Sequence, residues 1–138
     1  MVVTKKIGLR TKGNCDIIDI TAHVREGVAT SGVNSGTVTL FVAGSTGALT
    51  TIEHEPGLLS DFEVMWDRTV PRGIPYEHDR AWHDGNGHSH VRASLLGPSL
   101  VVPFTDQHLH LGTWQQIVMV DFDNRPRSRE IVVQIMGE

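Results

Sequence analysis

Four of the eight histidines lie in one polar segment, and their spacing is the clearest sign of chemistry in this chain. The segment runs from Tyr76 to Pro98 and contains His78, His83, His88 and His90. Histidine is the commonest metal ligand and the side chain that titrates nearest to neutral pH. The segment therefore predicts a site for metal binding or proton transfer.

The local conformation decides which of these histidines could share one metal ion. In an extended segment His88 and His90 point to the same side, whereas in a helix that begins at His88 they diverge. Gly85 and Gly87 favour the extended or turn-like conformation. His78 could return to the pair through the glycine-containing loop at modest entropic cost. Three protein ligands plus water are typical of a catalytic zinc, and magnesium is the alternative divalent metal.

Other interpretations of these side chains stay open. A His-x-His pair also occurs in surface loops that bind nothing, and no cysteine or His-Glu-x-x-His helix sharpens the pattern. Glu53 follows a predicted strand and could act as general base or metal ligand. Its simpler role is to stabilise the start of the next helix through the helix dipole, and this role is favoured.

The charged residues near the carboxyl end have a simple structural interpretation. Asp121 and Asp123 are predicted to form a turn. The basic cluster Arg125, Arg127 and Arg129 is predicted to be a solvated turn, with a phosphate or subunit contact as the alternative. The loop from 44 to 47 could offer backbone amides to a phosphate, but it lacks the length and the lysine of a P-loop.

Length and composition limit the class of protein. The chain has 138 residues, 39% hydrophobic and 20% charged, which fits one globular domain over residues 1–138. A formal net charge of -4 argues against a nucleic-acid partner, and no stretch has the length and apolarity of a membrane span. Cys15 is the only cysteine, which suits a reducing cytoplasm. We therefore expect a cytoplasmic protein that contacts neither nucleic acid nor membrane.

The amino-terminal half is predicted to contain a hairpin, a helix, two strands and a second helix. Two β-branched runs around the Gly13-Asn14 turn signal predict a hairpin of residues 2–9 and 16–20. A first helix should begin at Thr21 and stop at Gly32, and strands should cover 36–42 and 48–52. The clearest helix begins at Pro56, where an apolar stripe is expected to face the core; it comprises Leu58, Leu59, Phe62, Met65 and Trp66.

The carboxyl-terminal half is predicted to contain a short helix and then a meander of four strands. The helix should cover 91–96 and end at Gly97, where Pro98 prevents its continuation. The strands are expected at 99–104, 108–111, 113–122 and 130–136. This order indicates an α+β fold: a single compact domain with a mainly antiparallel or mixed sheet, two main helices and a short third helix.

Five sequence blocks together resemble the YjbQ-like family, also called the secondary thiamine-phosphate synthase enzyme family. They cover nearly the whole chain: Gly44 to Glu53, Tyr76-x-His78, Gly87 to Gly97, Leu111 to Ile117 and Asp123 to Arg127. The chain departs from the family pattern twice. His88 stands where the common form has an acidic residue, and Gly44-Ser-Thr-Gly47 replaces a His-Thr-Thr-Ala segment.

The resemblance implies a homotrimer and a thiamine-phosphate synthase activity. That reaction joins an aminopyrimidine methyl diphosphate to a thiazole phosphate with loss of pyrophosphate, so the expected partner is a small phosphorylated molecule. The resemblance supports Glu53 and His90 as catalytic residues and Arg92, Thr113 and Gln115 as substrate contacts; Trp114 should pack in the core or between subunits. Two alternatives remain: a metal-dependent hydrolase and a non-catalytic trimeric protein that binds a small molecule.

Overall fold

The strands of the computed structural model, which describes residues 1–138, form two sheets in which every pairing is antiparallel. The elements in chain order are β1 (Val2–Thr11), β2 (Asp16–Asp19), α1 (Thr21–Ala29), β3 (Gly36–Val42), β4 (Gly47–Ile52), α2 (Pro56–Thr69), α3 (Glu77–Trp82), α4 (Gly87–Leu96), β5 (Ser99–Thr105), β6 (His108–Leu109), β7 (Gln116–Asp121) and β8 (Arg127–Gly137). The large sheet has the order β1-β8-β3-β5-β6, and the small sheet has the order β2-β7-β4.

The small sheet lies between two hydrophobic cores, and its central strand β7 contributes to both. Ile117 and Met119 belong to the core shared with the large sheet and α1, whereas Val118 and Val120 belong to the core shared with α2 and α4. This division follows from the alternation of side chains along a strand. It explains why β7 is apolar on both faces and why its carboxyl end, at Asp121, is itself fully buried.

The α+β class is confirmed, but two predicted strand pairings are wrong. β1 and β2 do not form a hairpin, because β1 pairs with β8 and β2 pairs with β7 in the other sheet. The last strands do not form a meander either, since β7 leaves the large sheet and β8 inserts between β1 and β3. The Gly13-Asn14 signal does mark a turn, with positive φ at both residues.

The helix predicted from Pro56 is present, but its apolar stripe is only partly buried. The Glu55 carboxylate accepts hydrogen bonds from the amides of Gly57 and Leu58 at 2.8 Å each, which fixes the helix start. Trp66 is the only buried residue of α2, and its ring meets Phe122 edge to face at 5.0 Å between centroids. None of the four helices is long and apolar enough to cross a bilayer.

Candidate functional site

Charged side chains at the end of β7 and the start of β8 form a buried network. The Asp121 carboxylate has no exposed surface and accepts hydrogen bonds from Arg129 Nε at 2.7 Å and Nη2 at 3.0 Å. It also accepts one from the Thr11 hydroxyl at 2.6 Å. A bidentate pair of this kind compensates both charges and fixes the plane of the guanidinium.

Asp123 continues this network toward α4. It accepts hydrogen bonds from the Thr46 hydroxyl at 2.9 Å and from Asn86 Nδ2 at 3.1 Å, and it pairs with Arg127 Nε at 3.1 Å. Burial alone would raise the pKa of Asp123. The hydrogen bonds from Thr46, Asn86 and Arg127, together with the Arg127 charge, outweigh burial and hold that pKa below its usual value, so the carboxylate is ionised at neutral pH.

The junction of α3 and α4 brings two of the predicted histidines together. α4 begins at Gly87, whose amide donates to Asp79 Oδ1 at 2.8 Å. A Cβ at Gly87 would lie 2.6 Å from the Tyr76 Cβ, so only glycine permits this approach of the two helices. As a result the rings of His78 and His90 lie 4.4 Å apart between centroids.

His78 has the features expected of a metal ligand. Its Nδ1 atom is buried and has no hydrogen-bond partner, although buried polar atoms nearly always have one. It lies 3.5 Å from Asp84 Oδ1 and 3.8 Å from Asp79 Oδ1, and one ligand atom from each residue lies within 4.8 Å of the others. Tetrahedral ligands about 2.1 Å from one ion lie about 3.4 Å apart, close to the two separations measured from His78. These residues therefore fit a divalent metal such as zinc.

A cavity without any apolar side chain adjoins this cluster. Its volume is about 270 Å³, and its lining residues come from the β3–β4 loop, the approach to α4 and β8: Gly44, Ser45, Thr46, Asp84, Asn86, His90, Asp123, Arg127 and Arg129. Asp84 belongs both to the histidine–carboxylate cluster and to the cavity wall. A small molecule in the cavity would thus contact the candidate metal position on one side and two arginines on another.

His88 is not part of this cluster, because the segment is helical and not extended. In a helix that begins at Gly87, residues 88 and 90 point to different sides. His88 is buried, with Nε2 3.3 Å from the Ser89 hydroxyl. Burial, and next the nearby Arg92 charge, lower the pKa of His88. The structure offers Asp84 and Asp79, instead of His88, beside His78.

Arg92 is a structural residue in this fold and does not face the cavity. Only 2% of it is exposed, and its guanidinium donates to the Val70 carbonyl at 2.9 Å and to Asp67 at 3.2 Å. These contacts join α4 to the end of α2. A substrate contact at Arg92 would require these contacts to break.

The other predicted site residues lie on the surface and away from the cavity lining. Gln115 closes a turn, accepting from the Gly112 amide at 3.0 Å and donating to the Thr51 hydroxyl at 2.9 Å. Thr113 is exposed in this turn, so it does not share a strand face with Gln115. Glu53 is exposed after β4 and likewise does not line the cavity. Trp114 is 73% exposed and not part of the core.

The sequence analysis missed the charged network. The sequence predicts turn-forming acids and solvated arginines here, yet these side chains are half-buried or buried and pair with one another: Asp121, Asp123, Arg127 and Arg129. Their spacing contained the relevant signal. Acids at 121 and 123 and bases at 127 and 129 each follow a period of two, which places each pair on one face of an extended chain.

Comparisons with known proteins give a consistent result over almost the whole chain. The family model described as "UPF0047 protein YjbQ-like" matches residues 5–138. A UPF0047 protein of Methanothermobacter thermautotrophicus is 40% identical over 137 residues, which cover 99% of this chain and 94% of that protein. The UPF0047 protein YugU of Bacillus subtilis is 30% identical over 135 residues, covering 96% of this chain and 98% of that protein.

Solved structures share the fold. A crystal structure from Sulfolobus solfataricus P2, titled as a YbjQ-like protein of unknown function, has a TM-score of 0.94 and 34% identity. The match covers 100% of this chain and 99% of that one. A hypothetical protein from Aeropyrum pernix K1 has a TM-score of 0.90 and 30% identity, with 99% of both chains covered.

Proposed function

Because the chain belongs to the YjbQ-like UPF0047 family and has a polar cavity beside a histidine–carboxylate cluster, we propose that it is a metal-dependent enzyme acting on a small phosphorylated molecule. The observation that carries this proposal is the buried Nδ1 atom of His78, which faces two carboxylates and has no hydrogen-bond partner. A few convergent polar groups beside a cavity are typical of binding and active sites.

His78 and Asp84 would hold the metal, with Asp79 or His90 completing the set. Asp79 already uses Oδ1 to cap α4, so its free contribution is the second carboxylate oxygen. His90 contacts His78 and lines the cavity, which suits either a ligand or a group that moves a proton. Zinc is the first choice for imidazole ligands, and magnesium the second. The bound ion would supply Lewis-acid neutralisation of developing negative charge.

The reaction suggested by the family resemblance is the joining of an aminopyrimidine methyl diphosphate to a thiazole phosphate. The carbon–oxygen bond breaks and pyrophosphate leaves with the bonding electron pair, while the lone pair of the thiazole nitrogen forms the new carbon–nitrogen bond. The protein's part is to hold the diphosphate and exclude water from the reacting carbon. His90, which lines the cavity, would donate a proton to the departing pyrophosphate.

The assembly and location follow from the same premise. We expect a homotrimer, as the family resemblance implies, in the cytoplasm, where a single reduced cysteine is stable. Several large apolar side chains are exposed on the single chain, among them Phe41, Val101, Trp114 and Leu95. Association would cover part of this surface.

Metal content is the first test. We expect purified wild-type protein, measured by elemental mass spectrometry, to carry close to one divalent ion per chain, and the His78→Ala/Asp84→Asn variant to carry none. His108→Ala is the matched control, because His108 is exposed and bonds only to its own turn. Wild-type protein that neither carries nor takes up metal would refute the proposal.

Turnover is the second test. Metal-loaded protein is assayed with the aminopyrimidine diphosphate and thiazole phosphate, and separately with simple phosphoesters. Product that depends on both substrates and on His90 supports the synthase, whereas release of phosphate from single esters supports the hydrolase. A ligand retained in native mass spectrometry without any turnover would support the binding protein and reject both enzymes.

A further inference from the structure

Several hydrogen-bond donors in the polar cavity have no acceptor in the protein. Arg127 uses only its Nε, in the pair with Asp123, and neither of its terminal nitrogens contacts a protein acceptor. Arg129 uses Nε and Nη2, which leaves Nη1 without an acceptor. The Arg129 side chain is only 9% exposed, so this donor is held in place by the fold.

The β3–β4 loop adds backbone donors to the same cavity. The amides of Gly44, Ser45 and Thr46 take part in no hydrogen bond with the protein, and all three residues line the cavity. Gly44 has φ +150°, and a Cβ there would lie 2.6 Å from Arg129 Nη1. Glycine at this position therefore lets the guanidinium reach the loop. Successive free amides next to guanidinium groups form the kind of concavity that binds anions.

We propose that Gly44, Ser45, Thr46, Arg127 and Arg129 form an anion subsite that binds the phosphoryl group of the substrate. This inference rests on the proposed function for the identity of the substrate, but not for the existence of the subsite. Arg127 offers two parallel donors, a geometry that matches two oxygens of a phosphate. Asp121 and Asp123 hold the two guanidinium groups in position and are not themselves ligands.

The charges around the cavity explain why the subsite adjoins the candidate metal position. Among the lining residues, Asp84 and Asp123 balance Arg127 and Arg129, so the wall carries no net charge when His90 is neutral. A divalent cation beside Asp84 would make the cavity positive. The metal-free subsite should therefore bind phosphate weakly, and a bound cation should strengthen the binding.

Phosphate titration of the metal-free protein tests the subsite without involving the metal. We expect calorimetry to detect binding of inorganic phosphate and pyrophosphate, and Arg127→Gln to weaken it at least about tenfold, the loss expected for hydrogen bonds to a charged group. Arg125→Gln is the matched control, since Arg125 lies on the same segment, is exposed and does not line the cavity. Equal affinity in wild type and Arg127→Gln, or no binding by wild type, would overturn the proposal.

Two further measurements cover misfolding and ligand class. If Arg127→Gln fails to fold, Arg127→Lys is the second variant. It keeps the positive charge but lacks the two parallel guanidinium donors, and it should bind phosphate more weakly than wild type. In amide NMR spectra, phosphate should shift the signals of Gly44, Ser45 and Thr46 more than chloride does at equal ionic strength. Unmoved signals would refute the role of the loop, and acetate binding as tightly as phosphate would refute the phosphoryl assignment.

The two proposals fail in different ways. If only the anion-subsite proposal is wrong, the Arg127→Gln protein will bind metal and phosphate as wild type does. Failure of the metal centre alone would appear as wild-type protein that binds phosphate but takes up no metal. The His78→Ala/Asp84→Asn variant should still bind phosphate in the absence of metal, and more tightly than wild type, because one negative charge is removed from the cavity wall.

Discussion

A single side chain, Arg129, connects both sheets at the candidate site. It extends from β8 of the large sheet, pairs with Asp121 at the end of β7, and donates to the Thr46 hydroxyl before β4. Its charge is compensated mainly by Asp121, and Asp123 Oδ2 lies 3.8 Å from its Nη2. The residues that hold the cavity together are thus the same ones that keep two buried charges paired.

Asp121→Asn should destabilise the protein severely. The substitution removes the bidentate counter-charge of the buried Arg129 and leaves only the longer contact with Asp123; breaking a buried pair in this way typically costs about 3–5 kcal/mol. Urea unfolding at neutral pH measures the loss. The matched control is Glu130→Gln on the neighbouring position of β8, where an exposed pair with Lys6 contributes less than about 1 kcal/mol. Similar midpoints for the two variants would contradict the proposed network.

The Cys15 thiol should be inert in the native protein. Burial, and next the nearby Glu63 charge, raise the pKa of Cys15 from 9.0 to about 12. Near pH 8 the native thiolate fraction is then about a thousandfold below that of an ordinary cysteine, since each pKa unit is a factor of ten. Labelling with a thiol reagent, in native protein and in urea, measures the ratio. Native labelling within tenfold of the unfolded rate would contradict this burial.

The raised pKa of Cys15 also predicts how the stability of the protein changes with pH. The folded pKa of Cys15 is raised, so this group's contribution to stability is complete below the unfolded pKa and is lost as pH rises from about 9 toward about 12. Cys15→Ser, whose hydroxyl does not ionise in that range, removes this dependence.

Among the elements, the contact between α3 and α4 decides the geometry of the histidines. The two helices lie close because Gly87 packs directly against Tyr76 and because Asp79 caps α4. His78 and His90 are carried by different helices, so their 4.4 Å separation depends on this contact. A change at the contact should therefore alter metal binding without changing any ligand.

Gly87→Ala tests this dependence. The new Cβ would approach the Tyr76 Cβ to 2.6 Å, and overpacking of this kind costs about 1–3 kcal/mol, which exceeds the roughly 1 kcal/mol gained from better helix propensity. We expect lower stability and weaker zinc affinity. Gly8→Ala is the control, because nothing lies within 4 Å of a Cβ there. Unchanged zinc affinity in a folded Gly87→Ala protein would contradict the link between helix packing and the site.

Local signals in the sequence predicted the elements better than their partners. Pro56 and the apolar spacing located α2, and Gly97-Pro98 located the end of α4. The start of α4 was missed, because Gly85 and Gly87 suggest a turn unless the packing against Tyr76 is known. The strand order was missed for a similar reason: the Gly13-Asn14 turn shows that the chain reverses, but not that the next strand joins another sheet.

Only part of the candidate site is predictable from the sequence, because local patterns do not show which distant segments come together. His78 and His90 were chosen from their residue type and local clustering, and they lie together. Arg127 and Arg129 come from a strand that is distant in sequence from the histidines, and only the pairing of β8 with β1 and β3 brings them to the cavity. Sequence spacing within one segment cannot reveal such a contact.

At the scale of the whole molecule, much apolar surface remains uncovered on a single chain. Phe41 is 46% exposed and Val101 57%, and they extend from the neighbouring strands β3 and β5. Met65 on α2 is also exposed, at 39%. Soluble monomers seldom leave contiguous apolar patches of large area in water. This surface is consistent with the proposed homotrimer.

Sedimentation equilibrium tests the assembly directly. The expected mass is close to three copies of the 15.2 kDa chain, independent of metal. Val101→Lys, which places a charge in the exposed apolar surface, reports whether this face is the interface, with Ala22→Lys at an exposed position of α1 as control. A monomeric wild-type protein at micromolar concentration would contradict the trimer.

The position of β8 constrains how this protein emerges from the ribosome. β8 lies inside the large sheet, with β1 on one side and β3 on the other, so residues made first pair with residues 127–137. Until that stretch has left the exit tunnel, β1 and β3 have no partner between them, and the arginines of the cavity are missing. Folding must therefore follow synthesis of residue 137, and a nascent chain stalled before that point exposes unpaired strands to chaperones and proteases.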